Sequence, residues 1–259
     1  MIPAQFEYAA PSSVEEALGL MSEHGDDAKI LAGGQSLLPV MRMRLNAPEW
    51  VIDLGRIDSL RGVTDAGDAI EIGAMTTHST VLADPLVAEH AALITKAVEH
   101  LADVQVRHRG TFGGALAHAD PAGDLGAPAV ALRAEFVIQG PNGTRTVGAD
   151  EFFVDLFETA IGDDELLVAV RIPKHTGWGA HYEKFVRVAH QWPIVAVAAT
   201  VRMDGDTIAE ARVGLTNMGS TPVRAAGVED ALRGAATSSI ADAAARAADG
   251  TRPPSDLNG

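Results

Sequence analysis

The sequence predicts an α+β protein built as two or three compact units. Three observations carry this. Short runs such as AKILA, EWVIDL, AIEIGAMTT and ELLVAVRIP are β-branched or apolar and end at turn-rich stretches. Other segments place apolar residues at helical spacing. The strand-like runs come in groups that are followed by helices, rather than in strict alternation. A chain of 259 residues is long enough to bury a sizeable core in more than one unit.

The elements follow in order. Val14, Ala17, Leu18 and Met21 share one face of a helix that Ser12 or Ser13 can cap and Gly25 can end. AKILA then predicts a strand that runs into LAGGQSLLP, where an apolar run breaks at two adjacent glycines and resumes at once. EWVIDL and AIEIGAMTT are two further strands separated by the turn TDAGD. PLVAEHAALITKAVEHLA predicts one helix with Pro85 at its start. After a second glycine-rich stretch, DLGAPAVALRA predicts a helix, and EFVIQ–GPNGT–RTV a hairpin around Asn142-Gly143. ELLVAVRIP is a strand that ends at Pro173, and KHTGWGA marks a boundary between units. Beyond it lie strands in AHYEKFVRV, IVAVAATVRM and IAEARVGLTNM, then helices in TPVRAAGVEDALRG and SSIADAAARAA.

Composition narrows the function. The 35 acidic residues against 20 basic ones give −15, a surface that repels nucleic acid and anionic lipid. With no cysteine, the chain supplies no disulfide, no thiolate zinc site and no ligand for an iron–sulfur cluster. No apolar run approaches the ~20 residues of a membrane span, and the N-terminus lacks the pattern of a signal peptide, so the expected location is cytoplasmic. There is no G-x-G-x-x-G after a strand, no G-x-x-x-x-G-K-[ST], no H-E-x-x-H and no G-x-S-x-G. No residue is singled out for catalysis or for a metal.

Two segments share a pattern that points to an anion. AGGQS at 32–36 and TFGGALAHADPAGD at 111–124 each set a Gly-Gly pair beside a hydroxyl. Glycine permits φ > 0, so consecutive amides can face one way and bind anionic oxygens. Each pair could equally be a tight turn. His118 and Asp120 could be a metal or acid–base pair, or ordinary loop residues. Asp124 reads either as the cap of the following helix or as an acceptor for sugar hydroxyls. Lys184, in YEKF, is a solvated strand charge or a cation facing a ligand. Trp192, after His190-Gln191 and before Pro193, is either rim packing or a ring that covers a planar ligand.

Taken together, the F-x-Y start with SSVEEAL, LAGGQSLLP, VIDLGRI, IEIGAMTTHS, TFGG…HADPAGD, DELLVAVRIP and YEKFVRVAHQWPIVAVAA resemble one family over nearly the whole chain. It is the FAD-binding medium subunit of the molybdenum hydroxylases, which include bacterial carbon monoxide dehydrogenase and relatives of xanthine dehydrogenase. The resemblance implies a vanillyl-alcohol-oxidase (PCMH)-type FAD-binding domain over residues 1–174, in subdomains of about 1–55 and 56–174. A smaller C-terminal α/β domain over 175–259 would follow. It also implies that Ala32, Gly33, Gly34, Gln35, Ser36 and Leu37 hold the FAD diphosphate from one side, and Thr111, Gly113, Gly114 and Ala115 from the other. Asp124 would bind the hydroxyl-bearing part, Leu101 and Leu167 would line the cofactor, and Lys184 and Trp192 would lie at the flavin.

Three departures from the family pattern stand out. Gln35 replaces a histidine common in carbon monoxide dehydrogenases, so that substrate is not favoured. Ala115 replaces an asparagine or serine, and the chain ends at SDLNG where relatives continue into a further helix. The function implied is that of an electron-transfer subunit with non-covalent FAD. It would work beside a large molybdenum-cofactor subunit and a small subunit with 2Fe-2S clusters, as a dimer of heterotrimers that reduces an external acceptor. A free-standing flavin oxidase or dehydrogenase of the same fold and a cofactor-free scaffold subunit are the alternatives.

Overall fold

The computed structural model describes residues 2–255; the chain end read above in SDLNG lies outside them after Ser255. The N-terminal part runs β1 (Glu7–Ala9), α1 (Val14–His24), β2 (Ala28–Leu31), α2 (Leu37–Arg42) and β3 (Trp50–Asp53). The strands pair in parallel in the order β1-β3-β2. Helix α1 forms where its caps direct: Ser13 Oγ accepts the Glu16 N–H at 3.1 Å, and Gly25 closes it at φ 51°. Its Val14 and Ala17 join Ile52, Leu54, Ile57 and Leu60 in a small separate core.

A five-stranded antiparallel sheet follows. Its strands are β4 (Val63–Asp65), β5 (Ala69–Gly73), β6 (Glu135–Gly140), β7 (Gly143–Gly148) and β10 (Leu166–Pro173), in the order β4-β5-β10-β6-β7. Between β5 and β6 come six helices: α3 (His78–Ala83), α4 (Pro85–His90), α5 (Ala92–Glu99), α6 (Val104–Arg109), α7 (Phe112–His118) and α8 (Gly126–Ala131). Short pieces α9 (Ala149–Phe152), β8 (Phe153–Asp155) and β9 (Glu158–Thr159) lead from β7 to β10.

Two expectations change here. The single helix from Pro85 is two helices, because His175 N–H donates to the His90 carbonyl at 2.8 Å. Ala91 leaves the helical region at φ −140°, and Ile94 N–H turns to the Ala91 carbonyl instead. The hairpin turn lies at Pro141-Asn142, one residue early, since Gly140 pairs with Gly143. Proline's fixed φ suits the first turn position, and Gly143 at φ 105° receives the chain.

The last part is a four-stranded antiparallel sheet of β11 (Gly179–Phe185), β12 (Val195–Asp204), β13 (Thr207–Thr216) and β14 (Val223–Arg224), followed by α10 (Ala226–Leu232) and α11 (Ile240–Ala244). Period-two alternation gives this sheet two apolar faces. Ala196 and Ala198 of β12 face the main core, while Val197, Ala199 and Val201 face α10 and α11. Helices α5 and α8 therefore form a shared middle layer. Helix α5 packs on β11 and β12 and helix α8 on β12, β13 and β14, and their buried residues join those of β5, β6 and β10 in one continuous core.

Candidate functional site

The loop after β2 and the start of α7 meet at one side of the middle layer. Gly34 takes φ 76°, as a glycine turn requires. Gly33 serves a different purpose. A β-carbon there would collide with the Arg109 carbonyl and lie 2.7 Å from Gly110 Cα, so the bare backbone is needed against the α6–α7 junction. The second pair does not form a positive-φ nest, which corrects the sequence reading. Thr111 caps α7 through its side chain, which accepts the Gly114 N–H at 3.2 Å. Gly113 N–H donates to the Ala74 carbonyl at 2.9 Å, and its missing β-carbon makes room for Ala74. A β-carbon on Gly114 would lie 3.1 Å from Ala32 Cβ, so the two motifs are in close contact.

The two pairs thus leave different donors. In the first, the amides of residues 33–37 have no acceptor among the described residues. That row of free N–H groups lines a cleft of about 650 Å³, with α7 opposite and Leu167 at its edge. A second cavity of about 340 Å³ continues from it, lined by Leu101, Asp124, Lys184 and Trp192. Gln35, Ser36, His78, Gly110, Ala115 and His118 line both, so the two are one elongated cleft with a waist at these residues.

The far half holds a buried polar cluster. Asp124 Oδ1 accepts the Tyr182 hydroxyl at 2.7 Å, and Oδ2 accepts Lys184 Nζ at 2.8 Å. Lys184 Nζ also donates to the His100 carbonyl at 3.2 Å. Tyr182 and Lys184 are two apart on β11 and so share a face, opposite the small Ala198 and Ala196 of β12. Burial pushes the Asp124 carboxyl up from its usual range, against the pull of the Lys184 ammonium and the Tyr182 hydroxyl. Burial and the neighbouring carboxylate push the Tyr182 phenol up, so it remains a donor at any physiological pH.

Every residue marked in the sequence lines this one cleft: Ala32, Gly33, Gly34, Gln35, Ser36, Leu37, Thr111, Gly113, Gly114, Ala115 and Leu167 in the larger half or at the waist, and Leu101, Asp124, Lys184 and Trp192 in the smaller. Two plain readings fall away. Asp124 does not cap α8, whose N-cap is Leu125. The Lys184 side chain is 6 % exposed and paired, not solvated. Trp192 is exposed at the cleft rim, on the 186–193 strap that His190 Nδ1 ties to the Ala102 carbonyl at 3.0 Å. His118 ends α7, and Asp120 accepts the Ala122 N–H in a local turn; no cluster of metal-ligating side chains occurs among the described residues. Tyr182 was missed, although its place two residues before Lys184 signals a shared face. His78 was missed as well, and no periodicity marks it.

The cleft has counterparts in known proteins. Residues 4–175 match the family model "FAD binding domain in molybdopterin dehydrogenase", and residues 180–259 match "CO dehydrogenase flavoprotein C-terminal domain". The chain is 43% identical to the carbon monoxide dehydrogenase medium chain of Hydrogenophaga pseudoflava, over 100% of this chain and 91% of that one. It is 39% identical to the nicotine 6-hydroxylase medium subunit of Paenarthrobacter nicotinovorans, over 88% and 80%. The solved carbon monoxide dehydrogenase of H. pseudoflava superposes with a TM-score of 0.97 at 44% identity, covering 100% of this chain and 91% of that one. Quinoline 2-oxidoreductase from Pseudomonas putida 86 gives 0.94 at 33% identity, covering 99% and 90%. With its glycine loop, its α7 cap and its buried Asp124–Lys184 pair set along one cleft, this chain belongs to the family of FAD-binding medium subunits of the molybdenum-containing dehydrogenases.

Proposed function

We propose that the chain is the flavin station of a heteromeric molybdenum dehydrogenase in the cytoplasm. It holds FAD without a covalent bond, takes electrons from a small subunit with 2Fe-2S clusters, and passes them to an external acceptor. A large subunit with the molybdenum cofactor oxidises the substrate, and the assembly is a dimer of such heterotrimers. The observation that carries this reading is the row of free amides at 33–37, in a cleft whose other half ends at the buried Asp124, Tyr182 and Lys184.

That donor set fits a flavin dinucleotide. Unpartnered amides suit diphosphate oxygens, and a carboxylate suits sugar or ribityl hydroxyls. Thr111, Gly113, Gly114 and Ala115 close the diphosphate side, chiefly by close packing. Leu101 and Leu167 supply apolar walls, and Trp192 supplies a ring at the rim. When bound, FAD provides redox chemistry with one or two electrons. The chain's own residues bind, orient and exclude water: Tyr182 and Lys184 fix both oxygens of Asp124, and the 186–193 strap covers one side. A chain without cysteine leaves cluster ligation to a partner. We place the boundary between the FAD-binding and C-terminal domains at 174/175, and that between the FAD-binding subdomains near 55.

Absorbance of the purified full chain tests the first half of this reading. One FAD per chain is expected, and a colourless, folded preparation rejects it. Co-expression with both partner subunits tests the second half. Substrate should bleach the flavin in the complete complex and leave it unchanged when the cluster subunit is omitted.

A further inference from the structure

His78 sits at the waist of the cleft, and no hydrogen bond among the described residues uses its imidazole. It opens α3 next to the short bridge between Thr77 and Thr111, and its own N–H donates to the Gly110 carbonyl at 3.0 Å. Its ring packs over Gly110: a β-carbon there would lie 2.9 Å from Cδ2 and 3.1 Å from Nε2. Gly110 in turn lies under Gly33, so the imidazole is stacked behind the contact between the first glycine loop and the α6–α7 junction. The side chain is 3 % exposed, and neither ring nitrogen has a hydrogen-bond partner among the described residues.

A buried polar group without a partner costs free energy, and natural structures keep few of them. The two nitrogens differ. Nδ1 is sealed from solvent. A sealed N–H without an acceptor is rarer than an acceptor left unfilled, which favours the proton on Nε2. Burial keeps the ring neutral and pushes its pKa down to about 4, helped by the Arg107 guanidinium of α6. Nε2–H is then a neutral donor at the edge facing Gly110, in the narrow passage that Gln35 and Ser36 also line. A ligand that fills both halves must pass there, and the part of it next to the free amides is the anionic part.

We propose that His78 is a further cofactor-binding residue, donating through Nε2–H to a phosphate oxygen of the FAD diphosphate at the waist. This rests on the FAD reading above. It gives the buried imidazole the partner it lacks, and it gives the diphosphate a side-chain donor beside the 33–37 amides at the waist.

The test uses the full chain, stripped of flavin and titrated with FAD by fluorescence. His78→Phe should weaken FAD binding by about ten- to a hundredfold, the worth of one hydrogen bond to a charged group, while raising the unfolding midpoint of the flavin-free chain. A purely structural histidine would lower both together. His78→Gln, whose amide nitrogen reaches the position of Nε2, should recover most of the affinity; His78→Asn, with its nitrogen near the position of Nδ1, should not. The 31P resonances of bound FAD should move between wild type and His78→Phe. FAD affinity unchanged in His78→Phe, equal rescue by Asn and Gln, or unmoved 31P resonances would each overturn the proposal while leaving the FAD reading intact. A wild-type chain that takes up no FAD would overturn both.

Discussion

Asp124 carries two hydrogen bonds from β11, one from a phenol and one from an ammonium, in a setting that water barely reaches. The two bonds should respond differently to mutation. Tyr182→Phe removes one donor and should cost about 1–3 kcal/mol in a urea unfolding titration. Asp124→Ala leaves the Lys184 ammonium buried with the His100 carbonyl as its remaining partner, and should cost about 3–5 kcal/mol. His78 gives a pH effect of definite sign. Its folded pKa lies below that of the unfolded chain, so between about 6.5 and 4 the unfolded state binds a proton that the folded state refuses. Stability of the flavin-free chain should fall across that window as pH is lowered, by on the order of 3 kcal/mol, and His78→Phe should flatten that limb. Asp124 was legible as a candidate because it stands before an apolar helix, whereas Lys184, on a strand with other charges, was legible only through the resemblance of YEKF to the family pattern. Their pairing was not, since 60 residues separate them.

At the scale of elements, the two glycine pairs look alike in sequence but do different work. Gly34 supplies a positive φ, whereas Gly33 and Gly113 supply absent side chains at backbone contacts. Gly34→Ala should therefore cost about 1–2 kcal/mol, because the atom its β-carbon meets belongs to the flexible Leu38 side chain. Gly33→Ala drives a methyl into a backbone carbonyl and should cost about 3 kcal/mol or more, with flavin content falling alongside the melting temperature. The strands with clear alternation and the capped helix α1 could be read directly from the sequence. Helix α7 could not: a Thr-Phe-Gly-Gly opening resembles a turn until its cap and its contact with Ala74 are seen. The split between α4 and α5 was hidden for a related reason, since its cause is a bond from His175, 85 residues beyond His90.

For the whole molecule, strand order was the least legible feature, because β10 inserts between β5 and β6 and no local pattern encodes that pairing. The class of fold and the cleft were legible, since the motifs that line it fall on loops and element ends. If FAD binds the folded chain alone, the unfolding midpoint should rise with free FAD, by about 2.7 kcal/mol of added stability at a hundred times the dissociation constant; calorimetry at several FAD concentrations checks this. The shared middle layer of α5 and α8 carries a last consequence. Tyr182 belongs at once to the common core and, through its bond to Asp124, to the support of the cleft wall, so the wall and the arch between the two sheets depend on one side chain. Loss of that arch should therefore cost the cleft its grip on the flavin. Flavin should be released as the arch collapses on heating, and the rise in flavin fluorescence on release would serve as the protein's own thermometer of integrity.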